Sequence, residues 1–135
     1  MIVNLMSVLE ENKMKKKINS HKDLLVWEKS MYLVEQIYTQ TKNYPKEEIY
    51  GITSQMRRSA TSIPANITEG FHRNHLKEYI QFLYISKSSA AELETFLEIS
   101  KRLKFINKDI FNQLNQLTSE ILRMLSGLIS RLKSE

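Results

Sequence analysis

The sequence predicts an all-α protein, an antiparallel up-and-down four-helix bundle, on three observations. Four stretches carry apolar residues at spacings of three and four. Glycine and proline number only 3 and 2 in 135 residues, too few for the many turns of a sheet protein. No stretch alternates polar and apolar residues as a half-buried strand does. A chain of 135 residues is one domain, long enough to bury roughly two-thirds of its unfolded surface. There is no cysteine, which excludes disulfides, thiolate metal sites and cysteine nucleophiles.

Residues 1–19 show no sustained helical period and read as a basic, flexible N-terminal tail, with Met14 as an alternative start. The bundle is expected over 20–135. Its first helix is expected over about 22–42, capped by Ser20 and Asp23. Leu24, Trp27, Met31, Val34 and Tyr38 form its stripe, widened by Leu33 and Ile37, and Asn43-Tyr44-Pro45 ends it. The second helix is expected over 47–70, with Glu47 and Glu48 in a first turn that favours negative charge. Ile49, Ile52, Met56, Ala60, Ile63 and Ile67 are its apolar stripe; Pro64 predicts a kink and Gly70 a stop.

Asn74 is the expected N-cap of the third helix, over 75–103. Leu76, Tyr79, Leu83, Ser86, Ala90, Leu93 and Leu97 line one face. Ile80, Phe82, Ile85, Ser89 and Phe96 form a second stripe, which makes this helix broadly buried. The fourth helix is expected over 108–133, capped by Asn107, with Ile110, Leu114, Leu117, Ile121, Leu125, Leu128 and Leu132 inward. Gly127 lies in its interior at a cost of about 1 kcal/mol. Four such helices on short links pack as antiparallel neighbours at about 20°.

The formal charge is +5, but its placement matters more than its size. Residues 1–22 carry Lys13, Lys15, Lys16, Lys17 and Lys22 against Glu10 and Glu11. The bundle is therefore nearly balanced, with 15 basic and 13 acidic side chains over 23–135. No apolar run approaches the roughly 20 residues of a membrane span, and no secretory leader is recognisable. The expected compartment is the cytoplasm.

No catalytic constellation is found: there is no nucleophile elbow, no Ser-His-Asp setting and no phosphate-binding glycine loop. Di-iron bundles need two Glu-x-x-His motifs, whereas this chain has one, Glu69-Gly70-Phe71-His72, with His75 nearby. The expectation is a non-enzyme with no metal and no cofactor.

The informative segment is Gln55 to Gly70. Gln55, Arg58, Ser62, Asn66 and Glu69 recur at spacings of 3, 4, 4 and 3, a polar stripe about 100° from the Met56/Ile63 stripe. A solvated face is normally rich in lysine and glutamate; this one uses short amides and hydroxyls flanked by isoleucines. It reads as a polar layer between helices or subunits, set against the alternative of plain surface. Ser89 and Glu92 on the third helix are the expected partners of Arg58. Candidate phosphate contacts are Arg57, Arg58, Arg73, Lys77, Lys101 and Arg102, with Lys104 and Lys108 further on and Lys15, Lys16 and Lys17 in the tail.

This segment resembles the 23S rRNA intervening-sequence proteins. The resemblance runs from Asp23 onward. It is most specific at Gln55-x-Arg57-Arg58-Ser59-Ala60-x-Ser62-Ile63-x-x-Asn66-Ile67-x-Glu69-Gly70, preceded by Pro45-x-x-Glu48. Phe82-Leu83 and Ser89-x-x-Glu92-Leu93 continue it. The sequence departs from the family where glycine is common, at Ser88 and near Lys104. The resemblance implies a bacterial, non-enzymatic homopentamer whose ligand is structured RNA or another nucleic acid. The fold is also similar to the accessory protein of diversity-generating retroelements. A structural or adaptor bundle that binds a protein partner is the alternative.

Overall fold

The computed structural model describes residues 18–135. Four helices account for most of them: α1 (Leu25–Thr41), α2 (Ile52–Phe71), α3 (Leu76–Arg102) and α4 (Lys108–Lys133). Short 3-10 turns at His21–Asp23 and Lys46–Glu48 precede α1 and α2, and no strand occurs among the described residues. Connections this short leave consecutive helices no option but to run antiparallel. Each packs on the next and α4 returns to α1, with the most extensive interface between α2 and α3. The tail lysines 15–17 lie outside the described residues.

The helix starts differ from the sequence reading where loop chemistry intervenes. Ser20 and Asp23 do form a capping box, but it closes the 3-10 turn. The Ser20 hydroxyl accepts from the Lys22 amide at 3.2 Å, and Asp23 accepts from the Asn19 amide at 2.8 Å. α1 starts later, after extended Leu24. Glu47 and Glu48 likewise occupy the second 3-10 turn, and α2 begins only after Gly51. That turn is set by Tyr44, which is buried against Phe105 with ring centroids 5.2 Å apart. Ile49 is left outside the core, 45% exposed. His75, not Asn74, precedes α3 and gives it no side-chain cap. Asn107 caps α4 as expected, accepting from the Ile110 amide at 2.8 Å.

The buried stripe of α1 is rotated by a residue from the one that apolar character alone picks out, whereas those of α2 and α3 run largely as expected. In α1 the core positions are Val26, Ser30, Leu33, Ile37 and Thr41, while Met31 and Tyr38 are exposed. Serine and threonine can occupy a core stripe because each hydroxyl donates back to the preceding turn. Ser30 reaches the Val26 carbonyl and Thr41 the Ile37 carbonyl, both at 2.7 Å. In α4 the stripe is Phe111, Leu114, Thr118, Ile121, Leu125 and Ile129, with Leu117, Leu128 and Leu132 on its flank. In α3 Leu83, Ser86, Ala90, Leu93, Leu97 and Ser100 are buried, but Leu76 and Ile85 face outward. Ser88 is exposed as well, so no helix approaches the chain there.

Pro64 is buried inside α2, and the helix continues past it to Phe71. Gly70 is not a stop. It is helical and buried, and a Cβ there would lie 2.8 Å from Phe82 Cβ and 3.1 Å from the Tyr79 carbonyl oxygen. Its missing side chain lets α3 approach α2.

The true stop with left-handed geometry is Lys104, at φ 63°. The Lys104 amide donates to the Lys101 carbonyl at 3.0 Å and the Phe105 amide to the Ser100 carbonyl at 2.9 Å. This is the helix-ending pattern that glycine normally serves. A side chain in this conformation costs about 1–2 kcal/mol. Lys104→Gly should therefore raise stability by about 1 kcal/mol in urea unfolding; a lower midpoint would show that the lysine is not strained.

Thr53 raises the opposite issue: its buried hydroxyl has no hydrogen-bond partner among the described residues. Thr53→Val keeps the shape and removes an unsatisfied group that costs about 1–3 kcal/mol. The expected result is a higher melting temperature, and a drop would mean that the hydroxyl is paired.

Candidate functional site

Of the polar stripe of α2, Ser62 meets α3, and hydrogen bonds at and around it join the two helices. The Ser62 and Ser89 hydroxyls lie 2.8 Å apart. The Asn66 amide steadies Ser62, donating to its carbonyl at 2.8 Å and its hydroxyl at 2.9 Å. One turn toward the start of α2, the Ser59 hydroxyl donates to the Glu92 carboxylate. Deeper in the same interface, Ser86 donates to the Ile63 carbonyl at 2.9 Å, and Ser100 to Met56 Sδ at 3.4 Å.

The expected pairing of Arg58 with Ser89 or Glu92 does not form. Arg58 is exposed and donates along its own helix to Gln55 at 2.6 Å. Glu92 is taken by Ser59, whose buried position on the next residue gives a shorter path to α3. Glu69, at the far end of the stripe, is exposed and paired with Arg73 at 2.6 Å. Spacing placed Ser86 on the inward face of α3 but gave it no partner, and Ser59 was not singled out, since a serine beside an apolar stripe looks like a small core residue.

Among the described residues the candidate cations divide between separate parts of the bundle. Arg57 is folded back on α1, donating to the Thr41 hydroxyl at 2.9 Å with its guanidinium 4.7 Å from the Tyr38 ring. Arg73 sits at the other end of α2, bound to Glu69, near Glu78 at 4.0 Å and over the Phe82 ring. Lys101 and Arg102 share Glu98 at 3.2 and 3.1 Å. Hydrogen bonds from Arg102 and then Lys101 hold the Glu98 carboxyl below the usual carboxylate range. Lys77 is exposed in the first turn of α3. Burial pushes the Tyr79 hydroxyl, beneath Gly70, up to about 12, so it remains a neutral donor.

The Glu69-x-x-His72 motif is broken up by these pairings. His72 Nε2 lies 2.9 Å from His21 Nδ1, one ring donating and the other accepting. Among the described residues no group of three or more metal-ligating side chains comes together. Nor is any helix there long and apolar enough to cross a membrane.

The family model for the 23S rRNA-intervening sequence protein matches residues 22–127, through all four helices. The chain belongs to this family. A similar solved structure is the crystal structure of a protein of unknown function from the S23 ribosomal protein family of Bacteroides thetaiotaomicron. It is 29% identical, with a TM-score of 0.74, over 78% of this chain and 96% of that one. A search of curated proteins finds no match. Within this family fold, the stretch that carries the resemblance, Gln55 to Gly70, does two structural jobs here. It supplies the α2 side of the hydrogen-bonded layer, and it supplies the close approach of α3 at Gly70.

Proposed function

We propose that the protein is a non-enzymatic, oligomeric helical bundle of the bacterial cytoplasm that binds structured RNA or another nucleic acid. The observation that carries this reading is membership in a family described by its link to 23S rRNA. It is supported by the excess of basic side chains, 20 against 15 acidic, which favours a polyanionic partner. Binding should titrate with labelled 23S rRNA fragments and weaken steeply between 50 and 200 mM salt, as released counterions require. No binding at low salt by the chain with its tail intact would overturn the proposal.

The oligomer is proposed to be a homopentamer. Its support is an exposed stripe on α3 beside the polar layer, where Ile85 and Ile99 are 47% and 37% exposed and lie in line with Ser88, Glu92 and Thr95. The Asn66 side-chain oxygen also accepts no hydrogen bond from the described residues and is free for a neighbouring copy. Asn66→Leu should lower the mass measured by light scattering far more than Lys77→Ala does. Equal masses for the two variants would place the stripe in solvent.

One observation favours the alternative, a protein-binding adaptor. An apolar recess of ≈ 310 Å³ between α1 and α2 is lined by Trp27, Met31, Val34, Pro64 and Ala65. Co-purification of a stoichiometric protein with a chain that binds no RNA would favour it.

A further inference from the structure

The antiparallel topology brings the α1–α2 and α3–α4 connections to the same end of the bundle, where the Tyr44 and Phe105 rings hold them together. Tyr50, in the first connection, is 93% exposed, whereas Tyr44 six residues earlier is 6% exposed. Among the described residues, no hydrogen bond or ring contact engages the Tyr50 side chain. The same end carries exposed Lys42, Lys46, Lys104 and Lys108, and none of the four has an ion-pair partner among the described residues. Lys104 and Lys108 line an open recess of ≈ 620 Å³ with Lys101, Asn107 and Asn112. Glu47, Glu48 and Asp109 are the acids at this end that no cation neutralises, fewer than the free lysines.

The other end differs in part: Lys22 and Lys77 are exposed there with no ion pair among the described residues, whereas Arg73 and Lys133 are engaged. Arg73 is bound to Glu69 and Glu78, and the Lys133 ammonium donates to the Tyr84 hydroxyl at 2.6 Å. Lys104 adds a second asymmetry. It holds a backbone conformation suited to glycine, and a lysine there costs stability while lining the recess with an exposed cationic side chain.

We propose that the Tyr44/Phe105 end of the bundle is the nucleic-acid contact, an inference that rests on the proposed function. Tyr50 stacks on an unpaired base, and Lys42, Lys46, Lys104 and Lys108 contact the flanking phosphates. Every base offers a flat face to an aromatic ring, whereas bases inside a duplex are already stacked. The ligand class is therefore the single-stranded loop of a structured RNA, not a continuous duplex.

The test compares the full chain and its variants on a fluorescent RNA hairpin with an unpaired loop and on a blunt duplex of the same stem. Tyr50→Ala should weaken hairpin binding roughly 5- to 100-fold and leave duplex binding unchanged. The double variant Lys104→Gln with Lys108→Gln should lower the slope of log affinity against log salt by about 1.4. Lys22→Gln with Lys77→Gln, at the other end, should change neither. Lys104→Gly is the sharpest variant: it should melt at a higher temperature and bind the hairpin more weakly, a combination that a purely structural lysine does not produce. If the unaltered chain binds the hairpin but the variants at both ends behave alike, this inference fails while the proposed function stands. Tighter binding of the duplex than the hairpin also overturns it. If the unaltered chain binds neither RNA, both fail.

Discussion

Gly70→Ala should destabilise the bundle by about 1–2 kcal/mol, and Gly127→Ala should stabilise it by about 0.5–1 kcal/mol. Both glycines are helical, so helix propensity favours alanine at each by up to about 1 kcal/mol. The surroundings reverse the sign at one of them. At Gly70 the new methyl would meet Phe82 Cβ at 2.8 Å, Tyr79 Cδ1 at 3.0 Å and the Tyr79 carbonyl oxygen at 3.1 Å. Phe82 Cβ and the carbonyl belong to the α3 backbone or sit directly on it, so rotating a side chain gives no relief. The helices must separate, and overpacking of this kind costs about 1–3 kcal/mol. At Gly127 an added Cβ has nothing within 4 Å. At roughly 3–5 °C per kcal/mol for a chain of this size, thermal melts should move apart by about 5–15 °C. Shifts of the same sign would show that α2 and α3 are not packed as described.

Leu93→Ala should cost about 3–5 kcal/mol, which is a large share of the total stability of an ordinary domain. Leu93 is fully buried midway along α3, the helix with the two most extensive interfaces, against α2 and α4. A cavity opened there is walled on both sides, and little can collapse into it. The hydrogen bonds of Ser62 with Ser89 and of Ser59 with Glu92 further resist any slide of α3 along α2. If Leu93→Ala does not fold, Leu93→Met gives the reading instead, since a swap of similar volume should cost less than about 1.5 kcal/mol. Urea unfolding of the two variants checks the order. A Leu93→Ala cost below 1 kcal/mol would mean that the site is not a closed core.

The candidate site was legible in kind but not in its pairings. Short amides and hydroxyls among isoleucines on α2 pointed to a polar layer, and Ser62, Asn66, Ser89 and Glu92 do lie in one. The partner expected for Glu92 was Arg58, and the actual partner is Ser59. One residue on a helix is a rotation of about 100°, and whether residue 58 or 59 meets α3 depends on how α2 is turned about its axis. Long side chains add a second uncertainty. Arg57 reaches back to Thr41 on α1, and Arg73 curls onto Glu69. The Tyr50 ring could not be ranked above the chain's other tyrosines, because exposure is a property of the assembled loop.

Local chemistry in the sequence determined that there are four helices, that short links make them antiparallel, and where Asn107 starts the last of them. The Gln55-to-Gly70 motif determined the family. Helical periodicity is an interaction between residues three and four apart, so it survives without knowledge of the rest of the chain. Only the tertiary structure decided that Gly70 is a contact point and not a helix stop, and that Lys104 carries the left-handed turn. It also decided which lysines lack partners. Each of these depends on distances between segments dozens of residues apart, and those are set by how the four stripes pack together.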